Sequence, residues 1–260
     1  SEMTDLAALA KAAEQTDGSL LGTFTGEDLV ETFAPYFMPD IIKDKQLDTE
    51  KLRTVLQELQ TIAAHCDMVE KYKKGERASN EWDLPSAMQA VLCQISGFND
   101  AMFDLAIINL VKGDYTSFEN AYIPTVEIGV NANTKQADLA KEFAAFVMSR
   151  EVQDGDFYDG FPVNKESLHM QVSLDRSDYA AYTTIEGADG QEIGLDIEPI
   201  KAADADKLEA LCDSLSKKTV KDAKVLEELK KSVPDYLLGR QSLDDTISKI
   251  QDGVKIYLAE

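Results

Sequence analysis

The chain has 260 residues, enough to bury a substantial core in one large or two smaller domains. It carries 48 acidic against 26 basic residues, a formal net charge of -22. A surface so negative repels phosphate backbones and anionic lipid headgroups, which argues against nucleic acid as a partner and against electrostatic attachment to a membrane. The opposite signs are interspersed, as in Glu227-Glu228-Leu229-Lys230-Lys231, and this favours solvated helix faces over an acidic tail. No apolar run approaches the ~20 residues of a membrane helix, and the chain opens on Ser1-Glu2-Met3-Thr4 without a signal peptide. That start fits a cytosolic protein, or one from which a signal and a lipid-attachment cysteine have been removed. Cys66, Cys93 and Cys212 are odd in number, scattered and without CxxC spacing, so they read as buried free thiols and not as a disulfide framework.

Taken in chain order, periodicity predicts a helix over Leu6 to Ala13, a strand over Leu20 to Thr23 and a helix over Glu27 to Phe33. A helix over Glu50 to Ala64 carries the core stripe Leu52, Leu56, Leu59 and Ala63. Lys73 to Pro85, KKGERASNEWDLP, is polar apart from Trp82 and reads as a loop. A strand over Ala90 to Ile95 and a helix over Asp100 to Val111 follow.

The stretch from Tyr122 to Leu168 reads as one strand–turn–helix–loop unit. Val126, Ile128 and Val130 alternate with Glu127, Gly129 and Asn131, the period of a two-faced strand over Val126 to Val130. Asn133 and Thr134 offer turn and N-cap chemistry. In the helix over Ala137 to Met148, Leu139, Phe143, Phe146 and Val147 share one stripe that calls for apolar partners. Gly160, Pro162 and Asn164 close the unit. Ser177 to Pro199, with Gly187, Gly190 and Gly194, reads as loop, followed by helices over Asp204 to Ser216, Lys221 to Lys231 and Leu243 to Leu258. Gly239 suits a left-handed helix stop, and Ser242 with Asp245 makes a capping-box-like start. The stripe Leu243, Ile247, Ile250, Val254 and Leu258 then requires a partner surface. The sequence contains no internal repeat and no low-complexity segment.

Catalytic and metal signatures are absent from the sequence. His65 and His169 are the only histidines, and neither has a carboxylate or cysteine at ligand spacing. His65 ends a helix, where the dipole accounts for it. Carboxylate pairs such as Asp204 with Asp206, or Asp244 with Asp245, are expected by chance among 48 acidic residues. Asp154, Asp156 and Asp159 lack the spacing of a calcium loop and read as a solvated turn. What remains is aromatic rings beside amides and carboxylates, the residue types that stack on a sugar's apolar face and take its hydroxyls. Trp82 lies between Asn80 and Asp83, and Tyr115, Phe118 and Tyr122 surround Asn120. A loop tryptophan also serves to plug a hydrophobic gap.

The unit from Tyr122 to Leu168 resembles a signature of the extracellular solute-binding proteins (family 1, sugar-type) of ABC importers. Its matching residues are Ala140, Glu142, Phe143, Phe146, Ser149, Glu151, Gln153, Gly160, Pro162, Val163, Asn164 and Lys165. The C-terminal run from Val233 to Glu260 looks like the closing helices of the same proteins, and weaker similarity begins near Leu20. The resemblance implies an α/β, periplasmic-binding-protein-like (type II) clamp, helix-rich and mostly the C-terminal lobe. In that frame, residues 1–120 and 171–260 are two segments of the C-terminal lobe and residues 121–170 cross into the N-terminal lobe, whose first part is not recognisable. It further implies a non-catalytic receptor without cofactor or metal, which delivers a carbohydrate or oligosaccharide to ABC permease transmembrane subunits. Such a receptor is extracellular or periplasmic and touches the membrane only through a lipid anchor. A helix missing half its lobe leaves Phe143 and Phe146 on an exposed apolar patch, or on one covered by a neighbouring molecule. Two other classes stay open: a non-catalytic interaction module of the same fold, and an enzyme with two carboxylates facing each other across a pocket.

Overall fold

The computed structural model describes residues 3–73, 83–84, 90, 92, 94–155, 160–174, 181–187 and 191–260. They form a helix-rich α/β protein whose main core is assembled from both ends of the chain. Helix α1 (Leu6–Glu14) starts on Asp5, whose carboxylate accepts from the Ala8 N–H at 2.7 Å. Strand β1 (Thr23–Thr25) pairs in parallel with β4 (Asp67–Val69) on the far side of α2 (Gly26–Ile41), β2 (Ile42–Lys43), β3 (Gln46–Leu47) and α3 (Thr49–Ala64). Between β2 and β3, Asp44 and Lys45 both have positive φ, the backbone that a two-residue hairpin turn demands.

Helix α2 corrects the expectation that it ends at Phe33, because it continues through Pro35 and Pro39 to Ile41. A proline inside a helix costs about 3 kcal/mol and leaves the carbonyl four residues earlier without its donor. Here the carbonyl that Pro39 cannot serve, that of Pro35, accepts instead from the Val220 N–H at 3.0 Å. Phe37, Met38 and Ile41 extend the buried face of Leu29, Val30 and Phe33 by one more turn. At about 1.5–3 kcal/mol for each fully buried side chain, that burial offsets the prolines.

Helices α9 (Ala223–Leu237) and α10 (Leu243–Ala259) return to this body, α9 packing on α2 and α10, and α1 and α3 close the core around Leu56, Leu59, Ile62, Leu229 and Ile250. Gly26 is forced by the contact of α2 with α9, since a Cβ there would lie 2.8 Å from Pro234 Cβ and 2.9 Å from Pro234 Cα. The expected helix stop at Gly239, after α9, and the expected start of α10 at Ser242 are both observed. Gly239 has φ +70°, the Ser242 hydroxyl accepts from the Asp245 N–H at 3.1 Å, and Ile247, Ile250 and Val254 are buried.

The middle of the chain builds β5 (Asp83–Leu84), α4 (Phe98–Val111), β6 (Ala121–Tyr122), α5 (Ala137–Val147), α6 (Arg150–Gln153), α7 (Lys165–Val172), β7 (Ala181–Gly187), β8 (Glu192–Ile197), α8 (Ala202–Ser214) and β9 (Lys217–Lys218). The stretch expected as loop contains the antiparallel hairpin β7–β8, in register from Ala181 opposite Ile197 to Glu186 opposite Glu192, with β5 parallel to β7. Ile185 and Leu195 supply its buried face, and Gly194 sits under the Tyr182 ring where a side chain has no room. A second, smaller core joins Leu168 and Val172 on α7 to Ala205 on α8, with Phe98, Phe161 and Ile200 against it.

Two strand expectations are overturned. Residues 90, 92 and 94–96 are not in a strand, and neither are residues 126–130. Val126 to Val130 have no neighbouring strand among the described residues, so the alternation finds no ladder. The buried stripe expected on α5 is likewise not seen, since α5 buries none of its residues and Phe143 and Phe146 are 61% and 46% exposed. This face presents an exposed apolar patch of Leu139, Phe143 and Phe146.

Candidate functional site

The polar and aromatic side chains that converge most closely lie where α4, β8 and the start of α8 meet. Met102 and Leu105, held inward by the packing of α4 on β8, form an apolar floor with Leu195. Asn109, Asp196 and Asp204 stand on the rim of the resulting groove, whose volume is about 340 Å³. Lys201 also lines it, but its ammonium is held by the Glu198 carboxylate at 2.9 Å, which raises the lysine pKa. Asp196 and Asp204 make no ion pair among the described residues, although the charge of Asp204 acts on Lys201, and the groove carries carboxylates over an aliphatic base.

Tyr115 adjoins this groove. Its ring lies under Lys207 Nζ, 3.9 Å from the centroid, and Lys207 is in turn ion-paired with Asp114. The Asp114 carboxylate also accepts from the Tyr115 N–H at 2.9 Å, which fixes the turn that carries the ring. The Tyr115 hydroxyl is buried and lacks a hydrogen-bond partner among the described residues. Burial first, and the charges of Asp204 and Asp114 second, push its pKa up to about 12, so the group remains a neutral donor across the physiological range. An aliphatic floor, the Asn109 amide and the Asp196 and Asp204 carboxylates are suited to hold a polar solute. They contain no nucleophile with a base in reach.

The other expected site residues are dispersed. Asn80 and Trp82 lie outside the described residues; Asp83 stands in β5, opposite Glu186 in the register. The Phe118 ring packs against Phe33 at 5.8 Å and edge-on against Tyr36 at 5.1 Å, on the margin of the main core. Asn120 is exposed with φ +46°, and its carbonyl accepts from the Ser216 and Lys217 N–H groups at 2.8 and 3.0 Å. Tyr122 is exposed in β6, parallel to β9. Asn120 and Tyr122 thus mark where the returning chain crosses the outgoing one, and Tyr115 is the member of the set that adjoins a groove. The groove's carboxylates lie in and beside the stretch that reads as loop, so the glycines there conceal them; the alternation of Ile193, Leu195 and Ile197 is the signal that reveals the strand.

The remaining candidates for chemistry have structural occupations. His65 caps α3. His169 on α7 meets the Glu209 carboxylate on α8 at 2.9 Å, which raises its pKa. Asp154 accepts from the Ser167 hydroxyl at 2.6 Å and pairs with Arg150 at 2.9 Å, and both contacts lower its pKa. Asp156 and Asp159 lie outside the described residues. Asp244 pairs with Arg53 and Asp245 with the Ser242 cap. Burial raises the free Cys66 and Cys212 thiols to about 11, away from the reactive thiolate; Cys93 is outside the described residues. Among the described residues, no group of three or more His, Cys, Asp or Glu side chains is placed to hold a metal ion. A wider depression of about 800 Å³ between α2 and α9 is lined by charges that are paired internally, such as Lys230 with Glu31 at 2.7 Å. No helix among the described residues is long and apolar enough to cross a membrane. The chain matches no model of a known protein family and no curated protein.

Proposed function

We propose that the protein is the solute-binding component of an ABC importer, a receptor that performs no chemistry on its ligand. In this reading it holds a carbohydrate or oligosaccharide in the cleft of a type II clamp, of which these residues supply mostly the C-terminal lobe. It works outside the cell on a lipid anchor, or in a periplasm, and delivers the solute to permease transmembrane subunits. The observation that carries the reading is the path of the chain. The chain leaves the helical body after β4, builds the groove of α4, β8 and α8, and returns beside β6 through β9 into α9 and α10. A two-lobed clamp needs a chain that departs from one body and comes back to it. Tyr115 and the rim carboxylates are the residue types that such a cleft turns toward hydroxyls.

A single wall leaves those hydrogen bonds in competition with water, whereas two walls desolvate them together. The test is a thermal-shift screen of mono- and oligosaccharides, run on these 260 residues and on the polypeptide of the whole reading frame. The reading expects a clear rise only for the longer polypeptide, about 2.7 kcal/mol at a hundredfold excess over Kd, with the sugar recovered unchanged. No rise with either, or release of a hydrolysed product, overturns it.

A further inference from the structure

Residues Val126 to Val130 are an unsatisfied stretch of backbone in the described chain. Among the described residues none of the five makes a backbone hydrogen bond, and the side chains of Val126, Ile128 and Val130 are 78%, 47% and 39% exposed. None of them has a positive φ, so the backbone is free to extend. A stretch with unpaired backbone groups and apolar side chains can template another strand.

We propose that a second copy of this chain covers it, the two copies pairing antiparallel about a two-fold axis through Ile128. The sequence Val-Glu-Ile-Gly-Val is complementary to itself in that register, which sets its three branched residues against one another. Ile128 faces the partner's Ile128, Val126 faces the partner's Val130, and Glu127 faces the partner's Gly129, where its carboxylate keeps its own ion pair with Lys218. Shifting one copy by a single residue sets Ile128 against glycine and the valines against Asn131 and Glu127. Shifting it by two puts either Glu127 opposite Glu127 or Val126 opposite Ala132. Charge also selects this place. From Tyr122 to Met148 the acidic Glu127, Asp138 and Glu142 are nearly balanced by Lys135 and Lys141, in a chain whose net charge is -22. Two copies therefore meet here with little repulsion, while a strongly basic partner gains nothing from so neutral a patch. The exposed Leu139, Phe143 and Phe146 on the following helix extend the apolar surface available to the pair.

This inference assigns to a second copy a face that the receptor reading leaves to the rest of its lobe, and it is tested without any sugar. Light scattering over a concentration series should show the mass rising from one chain to two, more readily as salt screens the like charges. Ile128→Lys should weaken association by on the order of tenfold or more and leave the helical circular dichroism unchanged, because the side chain is exposed. Under mild oxidation Ile128→Cys should cross-link to itself, since directly opposed residues lie within disulfide reach, whereas Val126→Cys alone should cross-link no faster than the unaltered chain. A monomer at every concentration, capture of a different protein by a chain that stays monomeric, or a dimer indifferent to Ile128→Lys overturns the proposal.

Discussion

Helices α10 and α5 carry the same kind of message in sequence and meet opposite fates. Each has one apolar stripe, Ile247, Ile250 and Val254 in α10 and Leu139, Phe143 and Phe146 in α5. The first is buried against α9 and α3, while α5 buries no residue. Spacing therefore specifies a face and leaves open whether the same residues provide its partner. In α10 the partners are in place; among the described residues α5 has none that cover its stripe.

The contrast is broken most forcefully by truncating one ring in each region. Phe33→Ala removes a side chain with no exposed surface and should cost about 3–5 kcal/mol in urea denaturation. Phe143→Ala should cost under about 0.5 kcal/mol, as at other exposed sites. Comparable losses would place α5 in a core after all. The tight seam between α2 and α9 is sharpened by Gly26→Ala, which sets a methyl group against Pro234 and should cost about 1–3 kcal/mol with a lower midpoint. An unchanged midpoint would mean that the two helices are farther apart than described here.

Smaller effects test the local signals. Ser242→Ala removes the cap of α10 and should cost about 1 kcal/mol, with faster amide exchange at Asp245. Equal exchange rates in the two proteins would show the cap to be idle. The slightest change concerns the middle region. The Glu209 carboxylate holds the His169 pKa above its ordinary value, so their contact is complete below the unfolded-state pKa of ~6.5 and fades as pH rises through the folded-state value. Amide protection of α7 should fall across that window in the unaltered protein and stay flat in His169→Gln. A slope that survives the substitution would assign the titration to another group.

Helix positions were legible where a stripe and a cap coincide, as for Ser242 before α10. Three features resisted reading because their causes are tertiary. The extension of α2 past Pro35 depends on a donor from Val220, far along the chain. The β7–β8 hairpin is rich in glycine and is recognisable only through the cross-strand alternation of Ile185 and Leu195. Val126 to Val130 has strand chemistry without a strand beside it. The site shows the same division. Aromatic residues beside amides identified Tyr115, yet no local pattern brings Asp196 and Asp204 toward Met102, because the meeting of α4, β8 and α8 is a property of packing alone.

The construction of the main core from distant segments also sets a timetable. Glu31 meets Lys230 across a sequence separation of 199 residues. During synthesis at about 5–20 residues per second, α2 waits about 10 to 40 s for α9 to emerge, with its apolar face uncovered. Closing so long a loop is slow, and high contact order predicts a folding rate limited by that encounter. A ribosome-bound chain stopped before Ala223 should therefore show α2 cut readily by protease and held by chaperones, and release of the completed chain should protect α2 and α9 in a single step.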